Sequence, residues 1–87
     1  MANHKSAEKR TRQNEKRRLR NRHVLSTMRG RIKELREAID QGNGEAAEGL
    51  LTTSVRLISR AAGKGVIHRK QASRTIGRLV KAVNKIK

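Results

Sequence analysis

The chain contains no cysteine, no proline and no aromatic residue, and it has only 7 acidic residues against 23 lysines and arginines. Without cysteine it can form no disulfide, no thiolate nucleophile and no cysteine-ligated zinc site. Without aromatic rings it lacks the platforms on which RRM and OB domains stack unpaired bases. It also has no run of about 18 apolar residues, so the sequence predicts no membrane-spanning helix.

What the chain does have is positive charge, with a formal net charge of +16 over 87 residues. This length suits one small domain with a thin hydrophobic core. A chain that repels itself so strongly is stabilised by a polyanionic partner. The first residues, Met1 to Ser6, lack the apolar segment of a secretory signal, so we expect a cytoplasmic protein.

The charge is divided into two basic blocks and a short acidic segment. Residues 1–36 hold 13 basic and 3 acidic side chains, and residues 56–87 hold 10 basic side chains and no acid. Residues 37–55 hold four acids and no basic side chain. This pattern is typical of a protein with a nucleic-acid surface and a small corner that faces solvent.

Apolar periodicity predicts three helices, near residues 5–41, 45–63 and 67–86. The first stripe consists of Leu25, Met28, Ile32, Leu35 and Ile39; the second of Ala47, Leu50, Leu51, Ser54, Leu57, Ile58 and Ala61; the third of Ala72, Ile76, Leu79, Val83 and Ile86. Glycines separate the stripes, and Asn43 is suited to cap the second helix. The short connections predict an all-α fold, an antiparallel three-helix bundle in one domain, 1–87.

The first half of helix 1 has no apolar stripe, because Leu19 is its one large apolar residue before Val24. We therefore divide the chain into a basic extension, residues 1–22, and a bundle, residues 23–87. Lysines and arginines surround the extension on all sides, which suits a helix placed between several phosphate backbones. We expect the extension to be a solvated tail in the free protein and an embedded helix in the functional state.

Three glycines, Gly30, Gly49 and Gly77, lie inside the predicted helices, where each costs roughly 1 kcal/mol relative to alanine. Two explanations remain open at the level of sequence. Either the glycines allow two helices to approach closely, or they allow a phosphate backbone to approach a helix.

The residues needed for catalysis or for a metal site are missing. The three histidines, His4, His23 and His68, do not have the spacing of metal ligands. The acids of helix 1 are expected to lie on a solvated face, with Arg36 paired to Asp40 one turn later. We therefore predict no enzyme, no metal, no cofactor and no small-molecule substrate.

Two other classes fit the sequence less well. The first is a basic-region zipper, or another architectural DNA-binding protein, because Leu25, Ile32 and Ile39 recur every seven residues. That repeat is shorter than the three to four heptads of a zipper. The second is a cationic peptide on a membrane surface, which we exclude because the most basic segment has no apolar face to insert.

Three segments resemble the bacterial small-subunit ribosomal protein twenty family: residues 2–10 (ANHKSAEKR), 12–22 (RQNEKRRLRNR) and 64–69 (KGVIHR). The resemblance covers nearly the whole chain. It implies a three-helix bundle with a long first helix, bound to 16S ribosomal RNA in the small subunit. It also implies early binding during assembly, mainly to the 5′ domain and near the penultimate long helix of that RNA, with few or no protein contacts.

The resemblance also implies which residues face RNA, and to these we add Lys16 and Arg29. The predicted RNA-binding residues are Lys5, Lys9, Arg10, Arg12, Lys16, Arg17, Arg18, Arg20, Arg22, Arg29, His68, Arg69, Lys70, Arg74 and Arg78. The third helix departs from the densely basic family pattern with Gln71, Ser73, Thr75, Ile76 and Gly77.

Overall fold

The computed structural model describes residues 3–87, with side chains from Ser6 onward. Three helices account for nearly all of this part of the chain: α1 (Asn3–Asp40), α2 (Gly44–Gly63) and α3 (Arg69–Ile86). The all-α fold with a long first helix is therefore confirmed. The predicted boundaries are correct to within two residues at each end.

The turn between α1 and α2 is built by a glycine and an asparagine. Gly42 has a φ of +69°, a left-handed conformation that glycine adopts without steric cost. This conformation allows the Asn43 N–H to donate to the Ala38 carbonyl at 3.0 Å and so to close the end of α1. The Asn43 side chain then accepts a hydrogen bond from the Ala46 N–H at 3.2 Å, which confirms the predicted cap of α2.

The second turn repeats this arrangement at the end of α2. Gly65 has a φ of +74°, and the Val66 N–H donates to the Ala61 carbonyl at 2.9 Å. The chain is extended at His68, with φ −74° and ψ 142°. Because this residue caps α3 from outside the helix, α3 begins two residues later than the sequence predicts.

The core lies where the three apolar stripes meet. Among the described residues the buried apolar side chains are Met28, Leu35, Ala38, Ala47, Ile58, Ala61, Ala72, Leu79 and Val83. Four of the nine are alanines, so the core is as thin as the composition implies. The other apolar residues of the predicted stripes, among them Leu25, Ile32 and Ile39, are partly buried and pack against this core.

Helix α2 lies between the other two helices. It packs along both α1 and α3, whereas α1 and α3 touch each other at only a few positions. The end of α3 lies beside the turn between α1 and α2, since Lys87 forms an ion pair with Glu48 near the start of α2. The molecule is 64 Å long and 20 Å by 14 Å across, because α1 continues past the bundle as the basic extension.

The three glycines inside the helices do not serve close helix packing. A Cβ atom built at Gly30, Gly49 or Gly77 meets no atom within 4 Å, and all three residues are exposed. The first of the two explanations is therefore wrong for this chain, because the helices approach each other through alanines instead. Approach of a phosphate backbone remains open for Gly30 and Gly77, which are next to exposed arginines, and is not expected at Gly49, which is next to Glu48.

Candidate nucleic-acid interface

Nearly all of the described side chains of the basic extension are exposed to solvent. Every residue from Ser6 to Arg20 is exposed, and so is Arg22. Leu19, the large apolar residue in this segment, is 64% exposed. At about 100° of rotation per residue, Arg18, Lys9 and Arg17 point to three different sides of α1. The extension is a rod with cations on every side and no protein surface to pack against.

The described cations of the extension have no carboxylate partners. Among the described side chains the ion pairs are Arg31 with Glu34, at 2.9 Å, and Lys87 with Glu48. The predicted pair between Arg36 and Asp40 is wrong. Both side chains are exposed, where the small gain of a solvated ion pair does not oblige two long side chains to meet.

One line of arginines follows α1 from the extension into the bundle. Arg18, Arg22, Arg29 and Arg36 are separated by four, seven and seven residues and are all exposed. This spacing places them within about 40° of one another on the helix. The predicted contact Arg29 thus lies on the same line as the extension. Arg36 was not among the predicted RNA-binding residues; the sequence predicted for it only the pair with Asp40.

The second predicted basic segment lies at the start of α3. The Lys70 N–H donates to His68 Nδ1 at 3.1 Å, so the imidazole caps the helix. A ring nitrogen that accepts in this way leaves the proton on Nε2, where it can donate outward. Arg69 and Lys70 are exposed beside it. The structure therefore places three predicted contacts side by side at the start of α3: the imidazole N–H of His68 and the cations of Arg69 and Lys70.

The exposed face of α3 continues this surface to the end of the helix. Lys70, Arg74, Arg78, Lys81 and Lys85 are all exposed, and their spacing places them within about 80° of one another. The sequence-based prediction included the first three and omitted Lys81 and Lys85. The signal was available, because intervals of three and four residues mark a single helix face.

All the predicted contacts from Lys9 to Arg78 are exposed. The Lys5 and His4 side chains lie outside the described part of the chain. The acids Glu37, Asp40, Glu45 and Glu48 are exposed around the turn between α1 and α2, at the end of the bundle opposite the extension. These four acids therefore lie together at one end of the bundle, which the end of α3 also reaches.

The described residues offer neither a metal site nor a membrane span. Among the side chains that the structure describes, from Ser6 onward, no group of three or more histidine, aspartate and glutamate residues is placed to hold a metal ion. None of the described helices is long and apolar enough to cross a membrane.

Fold and surface together define a small all-α polycation whose basic side chains are turned outward. Comparison with known proteins gives the family. The family model for ribosomal protein S20 matches residues 2–84. The chain is 50% identical over 84 residues to the small ribosomal subunit protein bS20 of Geobacter sulfurreducens, covering 97% of both chains. It is 54% identical over 86 residues to the protein of the same name from Syntrophotalea carbinolica, covering 99% of both.

The chain belongs to the ribosomal protein S20 family, so the resemblance drawn from the sequence is confirmed. Members of this family are structural components of the ribosome and not enzymes. The zipper alternative loses its basis, since Leu25, Ile32 and Ile39 pack against the core of their own chain.

Proposed function

We propose that this protein binds 16S ribosomal RNA directly, through phosphate contacts and shape, and that it supports assembly of the small ribosomal subunit in the bacterial cytoplasm. Its principal targets are the 5′ domain and the penultimate long helix of that RNA, and it makes few or no protein contacts. The RNA-facing residues are the exposed cations of the extension, Arg29, and the group from His68 to Arg78.

The observation that carries this proposal is the extension itself. Fifteen consecutive residues, from Ser6 to Arg20, are all exposed, so packing within the chain does not account for their helix. A helix that is polar on all sides is not stabilised by its own protein. Phosphate groups supply what is missing, because they neutralise the mutual repulsion of the cations and hold the helix from outside.

Phosphate binding also supplies the driving force. Each lysine or arginine that neutralises a phosphate releases condensed counterions, and affinity then falls steeply with salt. The extension and the α3 face provide many such cations within one small helical protein. Neutralisation of several RNA strands in one fixed arrangement is the role expected of a protein that supports assembly.

Recognition rests on shape, because the chain has no aromatic residue with which to stack bases. The major groove of an RNA duplex is too narrow and deep for side chains to read, so contacts go to backbones and the 2′-hydroxyls. A helix with cations on one side would suit a single duplex. The extension has cations on all sides and therefore suits a space enclosed by several backbones.

The test is a charge reversal with a matched control. Arg17→Glu with Arg18→Glu changes two exposed cations of the extension, and Arg56→Glu with Arg60→Glu makes the same change on the exposed outer face of α2. We expect the first variant to lose most of its affinity for a 16S RNA transcript and the second to lose little. Equal losses would show that net charge alone is responsible and would contradict the proposed interface.

A second measurement identifies the nucleic acid. Cross-linking in cells followed by sequencing of the attached nucleic acid should recover the 5′ domain and the penultimate long helix of 16S RNA. Recovery of duplex DNA in its place would contradict the proposal and support an architectural DNA-binding protein.

A further inference from the structure

The bundle is open along one side, between α1 and α3. Because these two helices touch at only a few positions, a groove of about 390 Å³ remains between them. Its lining residues are Arg36, Ile39, Asp40, Arg78, Leu79 and Ala82. A volume of this size is within the range of binding sites for small ligands and for parts of larger ones.

The groove has an apolar floor and a cationic wall on each side. Ile39, Leu79 and Ala82 are buried or half-buried and form the floor. Arg36 from α1 and Arg78 from α3 are exposed, and neither is in an ion pair with a described side chain. Two free guanidinium groups therefore line one apolar groove from opposite helices.

We propose that this groove binds one segment of RNA backbone, with Arg36 and Arg78 on its phosphates and the apolar floor against its riboses. The proposal rests on the proposed function and extends it to a site that includes Arg36. A guanidinium group offers paired N–H donors that match phosphate oxygens. Two guanidinium groups across a groove suit the successive phosphates of a nucleic-acid backbone better than they suit the apolar face of a helix.

The surroundings of the groove favour the same occupant. Arg36 is the last member of the arginine line that begins at Arg18, and Arg78 lies in the basic face of α3. The groove is therefore the place where the two basic surfaces meet. An RNA backbone that lies along the arginine line of α1 reaches the groove at Arg36, the last arginine of that line.

Asp40 is the one acid in the lining of the groove. Its removal should change RNA affinity in the direction opposite to removal of the two arginines. Its carboxylate repels a phosphate held by Arg36 and Arg78, because both groups carry negative charge. Removal of the carboxylate should therefore tighten RNA binding if the phosphate is in the groove. Removal of an acid outside the groove should not have this effect.

The first experiment compares two neutralised pairs in the full-length protein. Arg36→Gln with Arg78→Gln changes the groove, and Arg56→Gln with Arg60→Gln removes the same charge from the outer face of α2. With two fewer phosphates neutralised, the salt slope should fall by about 1.4 to 1.8, which at 0.1 M salt is a roughly 25- to 60-fold weakening of affinity. The α2 pair should keep the wild-type slope.

Hydroxyl-radical footprinting of the 16S RNA shows which nucleotides the groove covers. The groove variant should leave one short stretch of a single strand unprotected and keep the protections made by the extension. Circular dichroism should show the same thermal unfolding for both variants and the wild type, because all four arginines are exposed. An unchanged footprint and slope in the groove variant would overturn the proposal and leave the groove to an acidic protein segment or to solvent.

The second experiment compares Asp40→Asn with Glu45→Gln, which removes an acid from the exposed start of α2. We expect tighter binding to naked RNA for the first variant and wild-type binding for the second. Equal behaviour of the two would overturn the groove site. If the wild-type protein gave no footprint on 16S RNA at all, the proposed function itself would fail, so the two failures are distinguishable.

Discussion

Ser54 is the buried polar residue at the centre of the bundle. It is fully buried, and its hydroxyl has no hydrogen-bond partner among the described residues. A serine inside a helix commonly donates to the carbonyl four residues earlier, as Thr52 and Thr53 do here. A buried hydroxyl without a partner carries its desolvation cost uncompensated.

We therefore expect Ser54→Ala to stabilise the free protein by about 1 kcal/mol, since the unsatisfied group is removed and alanine favours the helix. Ser59→Ala, on the exposed side of the same helix, should change stability by no more than about 0.5 kcal/mol. Thermal unfolding followed by circular dichroism measures both. Destabilisation by Ser54→Ala would show that the hydroxyl has a partner in solution.

Gly77 lies on the basic face of α3, between Arg74 and Lys81, with open space where a Cβ would be. Replacement by alanine should stabilise the free protein by roughly 0.5–1 kcal/mol. We expect Gly77→Ala to weaken RNA binding nonetheless, because a methyl group would keep a phosphate backbone away from the helix. As a control, Gly49→Ala on α2 should stabilise the protein equally and leave RNA binding unchanged. If titrations with RNA showed no difference in affinity between the two variants, approach of a phosphate backbone at Gly77 would be excluded.

His68 combines two roles at the start of α3, since Nδ1 caps the helix and Nε2 faces outward. His68→Ala removes the cap and should cost about 0.5–2 kcal/mol of stability. His68→Asn should retain the cap and most of that stability, because asparagine is a good N-cap residue. RNA affinity should fall in both variants, since alanine has no side-chain donor and the asparagine amide is shorter than the imidazole and places its N–H groups nearer to the helix. Full affinity in His68→Asn would limit His68 to capping.

At the scale of a helix, α1 consists of two halves with different sources of stability. From Val24 onward its apolar residues pack against the core. From Ser6 to Arg20 it has only its own backbone hydrogen bonds and a few local side-chain contacts, such as the Thr11 hydroxyl to the Ala7 carbonyl at 2.9 Å. Isolated helices of this length are marginal in water.

Amide hydrogen exchange in the free protein should therefore differ between the two halves. Amides from Thr11 to Arg20 should exchange with little protection, whereas those near Leu35 and Ile58 should exchange only through global unfolding. Addition of 16S RNA should protect the first group. Equal protection along the whole of α1 without RNA would mean that the extension is stabilised by something within the protein.

At the scale of the whole molecule, charge and packing are divided between separate regions. Deletion of residues 1–22 removes nine basic and two acidic side chains and leaves the packed residues from Val24 onward in place. The shortened protein should keep its bundle, with unfolding at or slightly above the wild-type temperature because self-repulsion falls. Its RNA affinity should collapse, and its salt slope should fall by about 0.7–0.9 for each phosphate that is no longer neutralised.

Thermal unfolding and RNA titration of the deletion and the full-length chain are the two measurements for this prediction. RNA binding that survived the deletion would move the functional centre to the surface between His68 and Arg78. A bundle that no longer folded would show that residues 1–22 contribute to its stability.

The three helices, their glycine turns and the basic extension follow from local patterns that the sequence carries by itself. Apolar spacing places Leu35, Ile58, Leu79 and Val83 in the core, because a helix presents residues three and four apart on one face. The cations of the extension could be recognised for the same reason, since an all-polar helix has no inward side. The Asn43 cap was predictable because its partner lies three residues away in the chain.

Relations between distant segments were decided only by the tertiary structure. Sequence spacing could not show that α1 and α3 stand apart with Arg36 and Arg78 across a groove, because that depends on how α2 separates them. It could not show that Gly30, Gly49 and Gly77 face open space. It also paired Arg36 with Asp40, since helical spacing permits an ion pair but the weak attraction between exposed charges does not enforce one.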